Sequence, residues 1–316
     1  MKCPVCKTSN VVPKMKLWDD RYGYPGKYKM MHCNDCHHTY LDSKFTEEQL
    51  ADLYTNYYPR NTYSLQNYSP KQELNGIKLW ISGGKSAVFR WVPRSVRILD
   101  IGCGFGESLG YHLARGCEVY GSEVDRNIKR VADKFGYNVQ VGMFDPNNYE
   151  SDFFDYVTMA QVLEHFTDPI FILRGVSKLL KNNGRLVLST PNSKGWGSKL
   201  FRRRWINWHV PYHLQLFSPK SIKVAAEKSG LVIEKSVTIT NSQWIYYQWI
   251  HLLTFPKMGK PSQFWLPNTD DDIRFKTVKK IASLVHLFKI NHMITRVFDG
   301  LRIGDNMIIV LKKQKI

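Results

Sequence analysis

No stretch of this 316-residue chain approaches the ~20 consecutive apolar residues of a membrane-spanning helix. The longest candidate, residues 244–255, is broken by Gln248 and His251, so it is too short to span, although a segment of this kind can lie on a membrane. The opening Met1-Lys2-Cys3 is not followed by the apolar run of a secretion signal, so the expected location is the cytoplasm, with peripheral attachment at the inner face of the membrane as a variant. Acidic residues are also scarce: 45 Lys and Arg stand against 27 Asp and Glu, for a net charge of +18. The deficit is uneven, with 14 basic and 8 acidic groups in residues 1–95, 11 and 12 in 96–195, and 20 and 7 in 196–316. An anionic partner is therefore expected at the C-terminal third or the N-terminal segment rather than the middle. With 43% apolar and 23% charged residues, the composition excludes wholesale disorder, and the length is ample for a core without staples.

Cysteine is sparse but patterned. Four of the six form Cys3-x-x-Cys6 and Cys33-x-x-Cys36, 26 residues apart. A disulfide is disfavoured in a reducing compartment, and a redox pair needs no second copy. Two such knuckles instead match a tetrathiolate zinc site, structural because four sulfurs leave no open position. Residues 1–45 read as a zinc ribbon with 7–32 as its hairpin; His32, His37 and His38 read as loop residues. Cys103 and Cys117 read as small buried residues.

From Val96 the pattern changes to short apolar runs at 96–101, 118–121, 138–141, 156–159 and 185–189, with amphipathic stretches such as 170–180 between them. This alternation argues for an α/β fold with a parallel sheet covered by helices on both faces. The first run ends in Asp100-Ile101-Gly102-Cys103-Gly104-Phe105-Gly106, a turn where bare backbone can meet a ligand. Its glycine spacing differs from the dinucleotide fingerprint and favours another nucleoside. Glu123, ending the second run, is placed to accept ribose hydroxyls.

Together LDIGCGFGES (99–108), VYGSEVD (119–125), FDYVTMAQVLEHFTDP (154–169) and GRLVLSTPN (184–192) resemble the class I S-adenosylmethionine-dependent methyltransferases over about residues 95–240. The resemblance implies a Rossmann-like seven-stranded sheet, with residues 231–239 and 306–311 as its last strands. It places Asp100, Gly102, Gly104 and Gly106 around the amino-acid part of the cofactor, Glu123 on the ribose, and Ala160 and Gln161 beside the methionine and sulfonium. The usual acid after the third strand is missing; Met143 and Phe144 are expected to contact the adenine by apolar stacking, with Asp145 as a substitute. The domain plan is then a zinc ribbon (1–45), a helical linker and cap (46–95), the cofactor core (96–240), a helical, aromatic and basic insertion (241–303) and the last strand (304–316). Within the insertion one amphipathic helix is expected from about Phe275 to Leu301.

Neither the Asn/Asp-Pro-Pro-aromatic loop of amino-nitrogen base methylation nor the Pro-Cys of base C5 methylation occurs after the fourth strand. The Leu-Glu-His element, and the segment WHVPYHLQLFS at 208–218, resemble bacterial sugar and surface-polysaccharide methyltransferases acting on oxygen or carbon. The expected acceptor is a phosphorylated, nucleotide-linked or lipid-linked sugar. Direct displacement from a sulfonium needs an aligned acceptor and a proton acceptor. His213, with His165 and His209 as rivals, is the expected base, and Glu164 its orienting group; packing or helix capping are the alternative roles. Arg202, Arg203 and Arg204 are candidates for gripping a diphosphate, or form a solvated turn. An RNA methyltransferase and a non-catalytic cofactor-binding scaffold are the competing readings, specific nucleic-acid binding is not expected, and a homo-oligomer is compatible with the insertion.

Overall fold

The computed structural model describes residues 1–42, 45–46, 49, 53–57, 65–74, 76–265 and 273–314. At the N-terminus, β1 (Val11–Leu17) and β2 (Tyr28–Cys33) form the antiparallel hairpin that the cysteine spacing calls for, and β3 (Thr39–Leu41) extends it. Much of the expected helical linker, 46–64, lies outside the described residues. Its later part holds α1 (Gly76–Ile81) and two short 3-10 turns over residues 84–86 and 88–91.

The core then alternates as its sequence pattern requires: β4 (Arg97–Ile101), α2 (Glu107–Leu113), β5 (Glu118–Glu123), α3 (Ile128–Phe135), β6 (Asn138–Val141), β7 (Phe154–Ala160), α4 (Pro169–Leu179) and β8 (Leu180–Pro191). After α5 (Trp196–Leu200) and the two-residue β9 (Gln215–Leu216) come α6 (Pro219–Lys228), β10 (Leu231–Thr238), α7 (Ser242–Leu253), α8 (Ile273–Leu287), α9 (Ile290–Gly300) and β11 (Asn306–Lys313). The large sheet has the order β10-β11-β8-β7-β4-β5-β6, with β11 antiparallel to both its neighbours and the other pairs parallel. Covered on both faces, its central strands need unbroken apolar runs, and Ile98, Leu99, Val157, Met159, Leu186 and Leu188 are all buried. Helix starts follow local chemistry. The Asp168 side chain accepts from Ile170 and Phe171 N–H at α4, and Ser218 and Ser221 cap α6 reciprocally with Pro219 at its first turn.

Two features depart from the expected plan. The N-terminal sheet is not an appended module, because β9, from the far side of the core, pairs antiparallel with β3. Leu17, Met30 and Leu41 then share a core with Trp205, Trp208, Tyr212 and Leu216. Three long-range bonds join the two parts: His38 Nε2 with Gln215 Oε1 at 2.8 Å, Leu41 N–H to Leu214 O at 2.9 Å, and the Arg21 guanidinium to Ile206 O. The second departure is the single helix expected over 275–301. It is broken at Lys289, whose φ of 64° is left-handed and interrupts the helical ladder, so α8 and α9 fold as a pair.

Candidate active site

Parallel strands leave their carboxyl ends exposed on one edge, and here the ends of β4, β7 and β8 open on a cleft of about 380 Å³. On one side lie Asp100, Gly102, Gly104, Glu107 and Ser108; on the floor Ala160, Gln161 and Ser189; on the far side Asn207, Thr240, Asn241, Trp244, Gln248, Asp305 and Asn306. Lys71 and residues 86–89 close it from the segment expected as a cap.

Asp100 is buried and held by two hydroxyls, Ser108 Oγ and Thr158 Oγ1, the latter at 2.7 Å. Burial pushes its pKa up to about 6, against the lowering effect of those two donors. The turn after β4 keeps its three glycines at positive φ: 71° at Gly102, 58° at Gly104 and 76° at Gly106. A Cβ on Gly104 would meet no protein atom within 4 Å, because that face of the backbone looks into the cleft. Gly102 is instead crowded by Val162, whose Cγ2 lies 2.5 Å from where its Cβ would be. Gly106 faces Tyr137 and Ile128 away from the cleft, and its carbonyl accepts from Tyr68 Oη at 2.9 Å. Glu123 sits behind the turn: its carboxylate accepts from Gly104 N–H at 2.8 Å and Asp125 N–H at 3.0 Å, and burial raises its pKa. Ala160 and Gln161 are both on the floor, Gln161 with a φ of 58° and its Nε2 donating to Ser189 Oγ at 3.0 Å and Asn306 Oδ1 at 2.8 Å. The aromatic contact expected at 143–144 is not built as a pair. Met143 is exposed, but Phe144 turns into the main core 5.8 Å from the Tyr149 ring, and Asp145 caps the following turn through Asn147 N–H.

The histidines expected as the base stand apart from the cleft. None of Glu164, His165, His209 and His213 lines the cleft. They stack beneath the loop before β9, with His213 4.8 Å from both His165 and His209 by ring centroid. Backbone carbonyls fix two of the rings: His165 Nδ1 donates to Tyr212 O at 3.0 Å and His213 Nδ1 to Asn207 O at 2.9 Å. Burial holds the His165 pKa down to about 4 and those of His209 and His213 well below the ordinary value, while it pushes Glu164 up to about 8. Burial thus favours the uncharged form of each group, and the cluster meets the cleft wall through Asn207, whose carbonyl holds His213. Its donor atoms on Glu164, His165 and His213 do lie within 4.8 Å of one another.

The arginine expectation changes for a geometric reason. Arg202–Arg204 form a single 3-10 turn outside the cleft, Arg203 over the Trp18 ring at 5.4 Å and Arg204 over Phe255 at 5.1 Å. Among the described residues, Lys71 is the one Lys or Arg that lines the cleft. The residue that sequence reasoning missed is Asp305. It lines the cleft, is buried with its pKa pushed up to about 7 by desolvation, and is fixed by Gly197 N–H at 2.6 Å and Trp205 Nε1–H at 3.1 Å. Its only signal in the sequence is an acid at the mouth of the last apolar strand.

Away from the cleft lining, Cys3, Cys6, Cys33 and Cys36 bring their sulfurs within 4.8 Å of one another, with Cys3–Cys36 at 3.6 Å and Cys6–Cys33 at 3.5 Å. These separations are far from the ~2.05 Å of a disulfide. They approach the roughly 3.8 Å edge of a tetrahedron of sulfurs at ~2.3 Å from one ion, so the set fits zinc.

A nucleoside-sized cleft at the carboxyl ends of a 3-2-1-4-5-7-6 type sheet, lined by Asp100 and an open glycine turn, defines a methyl-transfer fold. The family model described as "Methyltransferase domain" matches residues 64–236. The chain belongs to that family and is a class I S-adenosylmethionine-dependent methyltransferase. It is 27% identical over 180 residues to a ubiquinone biosynthesis O-methyltransferase of Aeromonas salmonicida, covering 52% of this chain and 74% of that one. With the protein of the same name from Xanthomonas axonopodis pv. citri the identity is 34% over 133 residues, 39% of this chain and 52% of the relative, so the match spans about half of that protein's length. Among solved structures it is similar to S-adenosylmethionine-dependent methyltransferases of Archaeoglobus fulgidus (20% identity, 70% of this chain and 86% of that chain, TM-score 0.43) and Mesorhizobium loti (14%, 75% and 99%, TM-score 0.46).

The open face of Gly104 yields a direct test. Gly104→Ala should weaken S-adenosylmethionine binding at least tenfold by calorimetry, because the new methyl occupies cleft space. The left-handed backbone should lower stability by only about 1–2 kcal/mol. Unchanged affinity in a folded variant would show that the cofactor lies elsewhere.

Proposed function

We propose that the enzyme transfers a methyl group to a hydroxyl oxygen of a small polyhydroxylated acceptor, a sugar or glycan precursor, with Asp305 receiving the acceptor's proton. The observation that carries this reading is the far wall of the cleft. Asn207, Asn241 and Asn306 place neutral hydrogen-bonding groups in a cleft also lined by Trp244 and Phe89, a lining suited to a ring that bears several hydroxyls. Oxygen rather than carbon is favoured by the relatives, which are named O-methyltransferases. They are named for ubiquinone biosynthesis and not for polysaccharide, and that supports a second reading in which the acceptor is a phenolic hydroxyl on a lipid precursor. A diphosphate grip inside the cleft draws no support, since Arg202–Arg204 stand outside it, and a nucleotide-linked sugar would have to keep its phosphates outside. RNA draws none either, from a cleft with a single Lys among the described residues.

Bound S-adenosylmethionine supplies a methyl group already activated on a sulfonium. The chain's own task is to align the acceptor and remove its proton. Asp305 suits that task because a base is best poised near the working pH and its carboxylate is held by two fixed donors with lone pairs to spare. The same proposal includes a structural zinc ion on Cys3, Cys6, Cys33 and Cys36, whose role is to hold the N-terminal sheet against β9.

The acceptor is tested by incubating the purified chain and S-adenosylmethionine with nucleotide-linked sugars, polyprenyl-linked sugars and dihydroxyphenyl compounds, and looking for methylated product by mass spectrometry. Methylation of the phenols alone would decide for the second reading. For the base, kcat should rise with pH as Asp305 loses its proton, through an inflection near pH 7, and level off above it. Asp305→Asn should lower kcat by about 10²–10⁴-fold and abolish the inflection, with S-adenosylmethionine affinity retained; an unchanged profile would remove Asp305 from the role. Elemental analysis should find one zinc per chain, lost in Cys33→Ser.

A further inference from the structure

Among the described residues, the pair α8 and α9 leaves an apolar surface without a partner. On α9, Ile290, Met293, Val297 and Leu301 recur at helical spacing and are 44%, 66%, 60% and 63% exposed. Ile281, Leu284, Leu287 and Phe288 of α8 and its end are exposed beside them. Ile77 and Trp80 of α1 are exposed as well, and α1 is fixed against α9 by the Arg296 guanidinium, which donates to Trp80 O at 2.7 Å and pairs with Asp299. Side chains that do pack inward lie on the opposite side of α8 and α9. Ala282 meets Ile250, and Asn291 accepts from Trp249 Nε1 at 2.9 Å.

The charge around this surface identifies its occupant. Residues 273–302 contain seven Lys and Arg, namely Arg274, Lys276, Lys279, Lys280, Lys289, Arg296 and Arg302, against one acid, Asp299, which is already paired to Arg296. Asp270, Asp271 and Asp272 precede them outside the described residues. Of the basic set, Lys276, Lys280 and Lys289 are exposed along the same helices as the apolar residues. A second copy of this chain would bring another +18 molecule against this basic rim and be repelled. Exposed apolar side chains with Trp at the edge and cations around them are complementary to an anionic bilayer surface, with the apolar groups entering the acyl boundary and the cations meeting phosphate.

We infer that α1, α8 and α9 form a docking face for an anionic membrane surface. The face adjoins the cleft through one helix: α7 turns Trp244, Ile245 and Gln248 toward the cleft and Tyr246, Trp249 and Ile250 toward the α8 pair. Docking therefore holds the cleft beside the bilayer, where a lipid-linked acceptor resides. The inference does not depend on which hydroxyl is methylated.

The full chain is sedimented with vesicles of phosphatidylcholine alone and of phosphatidylcholine mixed with phosphatidylglycerol. Binding is expected to the anionic vesicles, to weaken as salt rises, and to fall at least tenfold in the double variant Met293→Asp, Val297→Asp. Both positions are exposed, so the variant's circular dichroism and S-adenosylmethionine affinity should match the wild type, which separates loss of docking from loss of the cofactor site. Failure to bind anionic vesicles, equal binding by the double variant, or light scattering that shows a dimer which the substitutions convert to monomer, would each overturn the inference.

Discussion

The buried carboxylate of Asp305 is the point on which the architecture of the cleft turns. One oxygen accepts from Gly197 at the start of α5, the other from the Trp205 indole, and the same residue's N–H donates to Thr240 Oγ1 while its carbonyl accepts from Asn192 N–H. The stretch from Asn192 to Trp205 that follows β8, and Thr240 after β10, are thereby drawn to the mouth of β11. The closeness leaves no room for side chains: a Cβ on Gly197 would lie 2.0 Å from Asp305 Oδ2. Packing that tight removes the carboxylate from water, and desolvation is the largest cause of its raised pKa. One constraint thus both builds the far wall and poises an acid on it, as expected where a perturbed group sits in a cleft.

The cofactor side of that cleft was legible because its determinants are local. A strand that must turn sharply at its carboxyl end, leave bare backbone toward a ligand and start a helix needs glycines within a few residues, and Asp100 to Gly106 supply them in order. The cysteine pairs were legible for the same reason, since each knuckle is four residues long. The acceptor side was not. His165, His209 and His213 stood out because an unperturbed imidazole titrates near neutrality, but only the folded chain shows that they are buried and that two of the rings are tied to carbonyls, which removes that property. Three consecutive arginines suggest one grip, yet on a 3-10 turn successive side chains point about 120° apart, and two of them settle on separate aromatic rings.

The same contrast runs through the rest of the chain. The N-terminal segment has the spacing of an independent ribbon, but β9 adds a fourth strand to it and the 205–216 loop completes its core, so it acts as one wall of the catalytic domain's outer layer. The insertion has the composition of an amphipathic helix, but the turn at Lys289 folds it back on itself and against α7. Apolar residues on both helices, among them Leu284, Met293 and Val297, are left exposed.

By itself the sequence determined the element alternation, the glycine turn with Asp100, the placement of the four cysteines and the uneven charge, because each depends on neighbours within a few positions or on composition. Tertiary structure alone decided which acid lines the far wall of the cleft, that the histidines are buried away from it, where the arginines point and which face of the insertion is exposed among the described residues. Those outcomes depend on burial, and burial is set by residues a hundred positions apart meeting at one edge of a sheet.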